Sequence, residues 1–407
     1  MDIKSVYKPI LTSNSKPQKN FRRADYVYLD SAASTPLLVE ARNVMEEYFF
    51  DNFANSSSAH AAGRNVKEAI EKARADVAAC INAGSEEIIF TSGASESLNM
   101  AILGYHHLAC RRAADKKVAV GAIEHHASLY PALEVKKYGA AVLEVPPEAD
   151  GAVSPERLAG AVEKMGGLDF ASFMLVNNET GVIQPVAELV REAKKHGACF
   201  LCDAVAAAGK VPIDVKKLGV DMLALSAHKF YGPKGCGILY VKRGTRLEPR
   251  TFGGGHESGL RAGTLNTPAI IAAAEALKKA VEDFATREKH CLLLKNYLYK
   301  KFEIFKENNI EIRYNSPAEK TVSSTVNVSF KNEQAERIVE HLSSKGIMIS
   351  AGSACNSKNG ARASHVLEAM GAPLEFATGA VRISFGIYNE LCDIDLLTSA
   401  ILSLLKK

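Results

Sequence analysis

Cysteine is scarce, with eight residues in a chain of 407. So sparse a set cannot build a disulfide scaffold, and the N-terminus lacks the apolar core of a secretory signal, so a reducing, cytoplasmic setting is expected. No apolar run approaches the roughly 18 residues that a membrane span requires. Neither sign of charge dominates: 50 basic residues against 46 acidic ones leave +4, too even a balance for a nucleic-acid footprint. No internal repeat or low-complexity block is present. The histidines His106, His107 and His126 have no cysteine or carboxylate at metal-ligand spacing, so they read as solvent-facing and no metal site is expected. The glycine-rich "GGGHESGLRAGT" (253–264) fails G-x-G-x-x-G because Ser258 stands at its last glycine position, which disfavours a nicotinamide site.

What is present is an ordinary globular composition, 47% hydrophobic and 24% charged. Residues Met1 to Arg23 are polar and basic, but Asp2 and a poor amphipathic pattern favour a tail over a transit peptide. Val66, Ile70, Ala73, Val77 and Ile81 recur at helical spacing ahead of the run Ile88 to Phe90. Further apolar runs at 118–123, 142–145, 173–176, 199–202, 222–225 and 238–241 alternate with helical segments. This pattern predicts an α/β fold with a largely parallel sheet and ligands at the carboxyl ends of its strands. From about residue 268 long helices take over, followed by short runs at 324–330, 346–350 and 380–385, which predict a smaller α+β C-terminal domain. The expected organisation is a polar tail over 1–25, a large domain over 26–267 and a small domain over 268–407.

Several residues stand where strands should end. In "TSGASES" (91–97) a turn opens a helix at Ala94, Ser95 and Glu96, either an anion site or a plain serine cap. Lys229 follows an apolar strand in "ALSAHKFYGPKG" (224–235); there it is an imine-forming amine of lowered pKa or simply a surface charge, with Ser226 and His228 beside it as donors. Asp203 closes "CFLCD", placed either to pair with a protonated ring nitrogen or to cap a helix. Cys199 and Cys202, three apart on that strand, point to opposite faces and hold no metal. His125 in "IEHHAS" is placed to stack on an aromatic ring or to shuttle protons. Cys355, in "SAGSACNSKNGARASHVL" (350–367), sits in a polar, glycine-bearing run that reads as a wet loop, an unusual place for a thiol.

Taken together, "YVYLDSAASTP" (26–36), "NSSSAHAAGR" (55–64), "FTSGASES", "VNNETGVIQP", "SAHKFYGPKGCG", "GGGHESGLRAGTLNTP", "GSACNS" and "VRISFG" closely resemble the cysteine desulfurases of the NifS and IscS type, pyridoxal-phosphate enzymes of the class V aminotransferase group. The resemblance implies a PLP-dependent transferase fold of type I and a homodimer. It also implies release of sulfur from L-cysteine, giving L-alanine and an enzyme persulfide passed to a sulfur-acceptor protein for iron–sulfur or thio-cofactor assembly. By the same resemblance, Lys229 holds pyridoxal 5'-phosphate, Asp203 keeps its ring nitrogen protonated and His125 lies over the ring. The phosphate falls to Ala94, Ser95, Ser226 and His228, with Thr264 from the second subunit. Asn178 lies near the phenolic oxygen and the substrate, Arg382 clamps the substrate carboxylate, and Cys355 takes the sulfur, with Lys358 placed to favour its thiolate.

Three departures from the family pattern are visible. Ala206 replaces a glutamine that bonds the phenolic oxygen, Ser258 replaces an arginine, and the sequence runs only to Lys407, without the extension by which IscS-type members dock their scaffold. They keep open a weakened subunit that serves a sulfur-transfer partner, while the shared cofactor and motifs leave a selenocysteine lyase as the other alternative.

Overall fold

The computed structural model describes residues 26–110, 116–352 and 363–406. Strand β1 (Val27–Tyr28) stands apart from the main sheet. That sheet comprises β2 (Ile88–Thr91), β3 (Lys117–Gly121), β4 (Ala141–Val145), β5 (Phe170–Met174), β6 (Cys199–Asp203), β7 (Met222–Ser226) and β8 (Gly237–Val241), in the order β2-β8-β7-β6-β5-β3-β4. All neighbours run parallel except β8, which is antiparallel to both β2 and β7. Every residue of β5 to β8 is buried, which explains why they read as continuous apolar runs: helices cover both faces. On one side packs the helix Ala61–Cys80, whose buried Val66, Ile70, Ala73 and Val77 follow the 3.6-residue period. The expected strand at 173–176 lies three residues earlier, because Asp169 anchors the strand start by accepting from Lys117 N at 2.9 Å, and Val176 makes only an isolated bridge to Ile183.

A second sheet, antiparallel throughout, has the order β12-β13-β10-β9, from β9 (Ile312–Tyr314), β10 (Thr325–Phe330), β12 (Ser350–Ala351) and β13 (Ala380–Ser384). Helices Phe284–Glu307, Ala335–Ser344 and Leu391–Leu405 bury Leu294, Leu298, Phe302, Ile338, Leu342, Leu397 and Ile401 against it. Two features cross the expected boundary at 267/268. The alanine-rich face of the helix Thr267–Glu282 is buried in the core of the large sheet, whereas β1 pairs in parallel with β11 (Ile347–Met348) and Leu29 lies in the smaller core. The segment after β1 therefore crosses from one sheet to the other, and that crossing is where the site forms.

Candidate active site

The carboxyl edge of the main sheet gathers most of the residues singled out in the sequence. β2 and β7 point the same way with β8 between them, so their last residues, Thr91 and Ser226, both pair with Gly237. A side chain at Gly237 would place its Cβ 2.5 Å from Gly93 Cα and 2.5 Å from Thr91 Oγ1, so glycine alone lets the turn after β2 close against β8. That turn opens the helix Ala94–Cys110 with Ser95 exposed in its first turn. The first amides of a helix have no intrahelical acceptor and suit an anion. Glu96, which would repel an anion there, is neutralised by Arg261 Nε at 3.0 Å and accepts from Ser92 N, and these bonds hold its pKa down against burial.

Lys229 lies in the short turn Ala227–Lys229 directly after β7. Its Nζ donates to Ala32 O at 2.6 Å and Ala33 O at 2.9 Å, both on the segment that crosses between the sheets. Burial, and then Arg382, lower its pKa to about 8, so the surface-charge reading of this lysine does not hold. His228 contacts Ser34 Oγ at 3.3 Å, and burial, then Lys229, lower its pKa to about 4. Asp203 ends β6, 5% exposed, with Oδ1 accepting from Val205 N at 2.9 Å. Burial raises its pKa to about 6 even though Lys229 opposes the shift. A carboxylate this buried is stable only beside a cation.

His125 caps the helix His126–Glu134, its Nδ1 accepting from Ala127 N at 3.1 Å. Its ring reaches solvent on one side, yet the cleft desolvates it and, with Lys229, lowers its pKa to about 4, which keeps it neutral. Opposite, Arg382 projects from β13 of the smaller sheet, donating through Nη1 to Asn178 O and through Nη2 to Asp30 Oδ1, both at 2.8 Å. Its Nε is buried without a partner. The Asn178 side chain is half-buried at this junction, in a turn fixed by Asn177, whose Oδ1 accepts from Glu179 N and Thr180 N at 2.9 Å each.

Other expectations fare differently. Cys355 and Lys358 lie outside the described residues. Thr264 is exposed on this chain. Cys199 and Cys202 fall in separate cores on opposite faces of the sheet, as their spacing requires. The solvent-facing reading of His106 is wrong: it is 2% exposed, packed edge-on to Tyr105 and Phe170, with its pKa lowered to about 4 by burial. Its polarity hides that it lies one turn after the core residue Ile102. His126 is also not free in solvent, because its ring stacks between Tyr130 and His365 at 4.5 and 4.9 Å. No metal-ligating cluster occurs among the described residues, and none of their helices is long and apolar enough to cross a membrane. Ala206 is partly buried against the large core. Ser258 follows Glu257 in a left-handed pair (φ 56° and 49°) held by the buried Arg74–Glu257 ion pair at 2.7 Å; nothing in the structure explains serine at this position.

Sequence reasoning missed Asp30, although it lies inside a quoted motif, and it missed the carbonyls of Ala32 and Ala33. An acid directly before the Ser31-Ala32-Ala33-Ser34 run carries no local signal, and its role arises only when β13 is brought alongside.

The residues present suit a phosphorylated pyridine aldehyde: an amine of lowered pKa, a buried acid lacking a cation, a neutral flat ring above them and a helix N-terminus beside two side-chain donors. Comparison with known proteins agrees. Residues 27–397 match the family model of class-V aminotransferases. The chain is 38% identical over 369 residues to a cysteine desulfurase IscS of Dictyoglomus turgidum, covering 91% of this chain and 92% of the relative. It is 39% identical over 363 residues to a cysteine desulfurase IscS of Neisseria gonorrhoeae, covering 88% and 87%. Among solved structures, a NifS-like protein superposes with a TM-score of 0.86 at 34% identity, over 93% of this chain and 99% of that one. SspA in complex with cysteine gives 0.75 at 34% identity, over 89% and 100%. With its type I transferase fold, the chain belongs to the class-V aminotransferase family, among the cysteine desulfurases of the NifS and IscS type.

Proposed function

We propose that this protein removes sulfur from L-cysteine, leaving L-alanine and a persulfide on Cys355, with pyridoxal 5'-phosphate held at Lys229. The observation that carries this reading is the meeting of Lys229, Asp203 and His125 on one sheet edge with Arg382 from the other sheet. When bound, the cofactor supplies an electron sink that weakens bonds at the substrate's α-carbon. Lys229, about half of it unprotonated at pH 8, forms the covalent anchor and afterwards moves a proton. Asp203 stays ionised against the ring nitrogen, and the neutral His125 covers the ring and excludes water from that face. Ala94, Ser95, Ser226 and His228 bind the phosphate. Arg382 turns its unpartnered Nε–H toward the substrate carboxylate, and Asn178 orients the substrate. The Cys355 thiolate then takes the sulfur, so the substrate's C–S bond breaks as an S–S bond forms, and the persulfide passes to an acceptor that builds iron–sulfur clusters or thiolated cofactors.

A homodimer completes the phosphate site with the partner's Thr264. Support for it comes from one face of this chain, where Phe53 and Phe252 are exposed by 76% and 84% and the Ser57–His256 contact at 3.0 Å joins their two segments. The decisive experiment incubates the cofactor-loaded protein with L-cysteine and a thiol reductant. Alanine and sulfide are expected in equal amounts, and neither from Lys229→Ala. Keto acid in place of alanine would replace this reading with transamination.

A further inference from the structure

Beside Lys229 lies a narrow cavity of about 40 Å³. Lys210 and Lys229 line it together with Arg287, Cys291, Tyr231 and Ser324; His125, Asp203, Ser226 and His228 do not. Its wall is cationic and carries no acid. Arg287 already has Asp283 as its partner at 3.2 Å, and Lys229 is bonded to two carbonyls. The Lys210 ammonium makes no hydrogen bond or ion pair with any described residue, and Ser324 Oγ is buried without a partner, its residue 6% exposed. The other titratable groups cannot supply negative charge, since burial raises the Cys291 thiol to about 12 and pushes the Tyr231 phenol up as well, its oxygen accepting from Ile387 N at 2.9 Å.

We propose that this cavity binds one small singly charged anion of chloride size between Lys210 Nζ and Ser324 Oγ. The volume admits one such ion or one water. A water would satisfy the two unpartnered groups, but it would leave the Lys210 charge beside Arg287 uncompensated, whereas an anion does both. With no anion bound, burial and then Lys229 and Arg382 bring Lys210 to about pKa 7, so the site should weaken as pH rises through that region. An anion there also lessens the mutual repulsion of Lys210 and Lys229, coupling the proton affinity of the catalytic amine to the salt present.

The test compares melting of the cofactor-loaded protein in sodium chloride and in sodium gluconate at equal ionic strength and pH 6.5. A saturable rise of about 1–2 °C in chloride is expected, abolished in Lys210→Met and reduced in Ser324→Ala. Equal melting in both salts, or the same chloride effect in Lys210→Met, would overturn the proposal. Should Lys210→Met fail to fold, crystals of the unmodified protein grown in sodium bromide decide the matter. A bromide anomalous peak touching Lys210 and Ser324 supports the site; water or empty density at that position refutes it.

Discussion

Arg382 Nη2 donates to Asp30 Oδ1 at 2.8 Å, and this ion pair, with side chains 6% and 19% exposed, ties the segment after β1 to β13. The guanidinium assigned to the substrate is thus already held by an internal carboxylate, leaving Nε as its unpartnered donor. Asp30 keeps this buried charge compensated, and under the proposed mechanism it would compete with the substrate for it.

Asp30→Asn should therefore lower the melting temperature of the substrate-free protein, by about 2 kcal/mol of stability, since a charged acceptor is replaced by a neutral one. An incoming carboxylate then becomes the only anion on Arg382, so adding L-alanine should raise the melting temperature more in the variant than in the parent. The KM for cysteine should fall. A KM that rises with no extra ligand stabilisation would show that Asp30 orients Arg382 and does not compete for it.

How much of this was legible beforehand depends on whether a role is local. The strand ends at Asp203, Ser226 and Lys229 were readable because a fully buried parallel strand leaves a continuous apolar run, and the first polar residue after it marks the carboxyl edge. The Arg382–Asp30 pair spans 352 positions and arises from the register of β13, which no local pattern encodes. His106 misled for the same reason: only tertiary packing against Phe170 buries it. The helix Thr267–Glu282 was recognised as a helix, but the core its alanines enter depends on the helices Val39–Phe50 and Ala61–Cys80 that it meets.

Asp203 gives a pH prediction for the protein stripped of cofactor. Burial raises its pKa to about 6, above the unfolded value, so the folded state holds its proton more tightly than the unfolded chain does. The resulting stabilisation is fully present below about pH 4 and is lost as pH rises through about 6. Asp203→Asn does not titrate there. The stripped variant should match the parent near pH 4 and exceed it by about 3 kcal/mol at pH 8. With cofactor bound the order should reverse at pH 8, because the variant offers no charge to the ring nitrogen. Denaturant melts at the two pH values, with and without cofactor, provide the check; a stripped variant less stable than its parent at pH 8 would rule out the buried-charge account.

Ala206 follows Asp203 by three residues and is partly buried against the large core. Ala206→Gln should return an amide donor to the cofactor's phenolic oxygen, tightening cofactor binding by about tenfold and shifting the pH midpoint of its visible absorbance downward. Equilibrium dialysis and a spectral titration measure the two effects. If neither changes, alanine is a neutral replacement here.

Cys355→Ala separates anchoring from sulfur removal. Lys229, Asp203, His125 and Arg382 are untouched by the substitution, so adding cysteine should still perturb the cofactor's absorbance. Among the thiols the structure describes, all but one are poor substitutes. Cys199, Cys202, Cys236 and Cys291 are buried, and burial raises all four, Cys236 and Cys291 to about 12; Cys80 is raised to about 11, first by burial and then by Asp76. A thiol at those values is almost wholly protonated at pH 8 and does not attack sulfur. Cys392 is exposed, but it opens the helix Leu391–Leu405 on the smaller sheet, and so serves as an accessible control. Alanine and sulfide production should fall by at least about a hundredfold in the variant. Mass spectrometry of the parent after incubation with cysteine should find one added sulfur on the peptide carrying Cys355 and none on the peptide carrying Cys392. Persulfide forming at the parent's rate on any other cysteine of the variant would remove Cys355 from the mechanism.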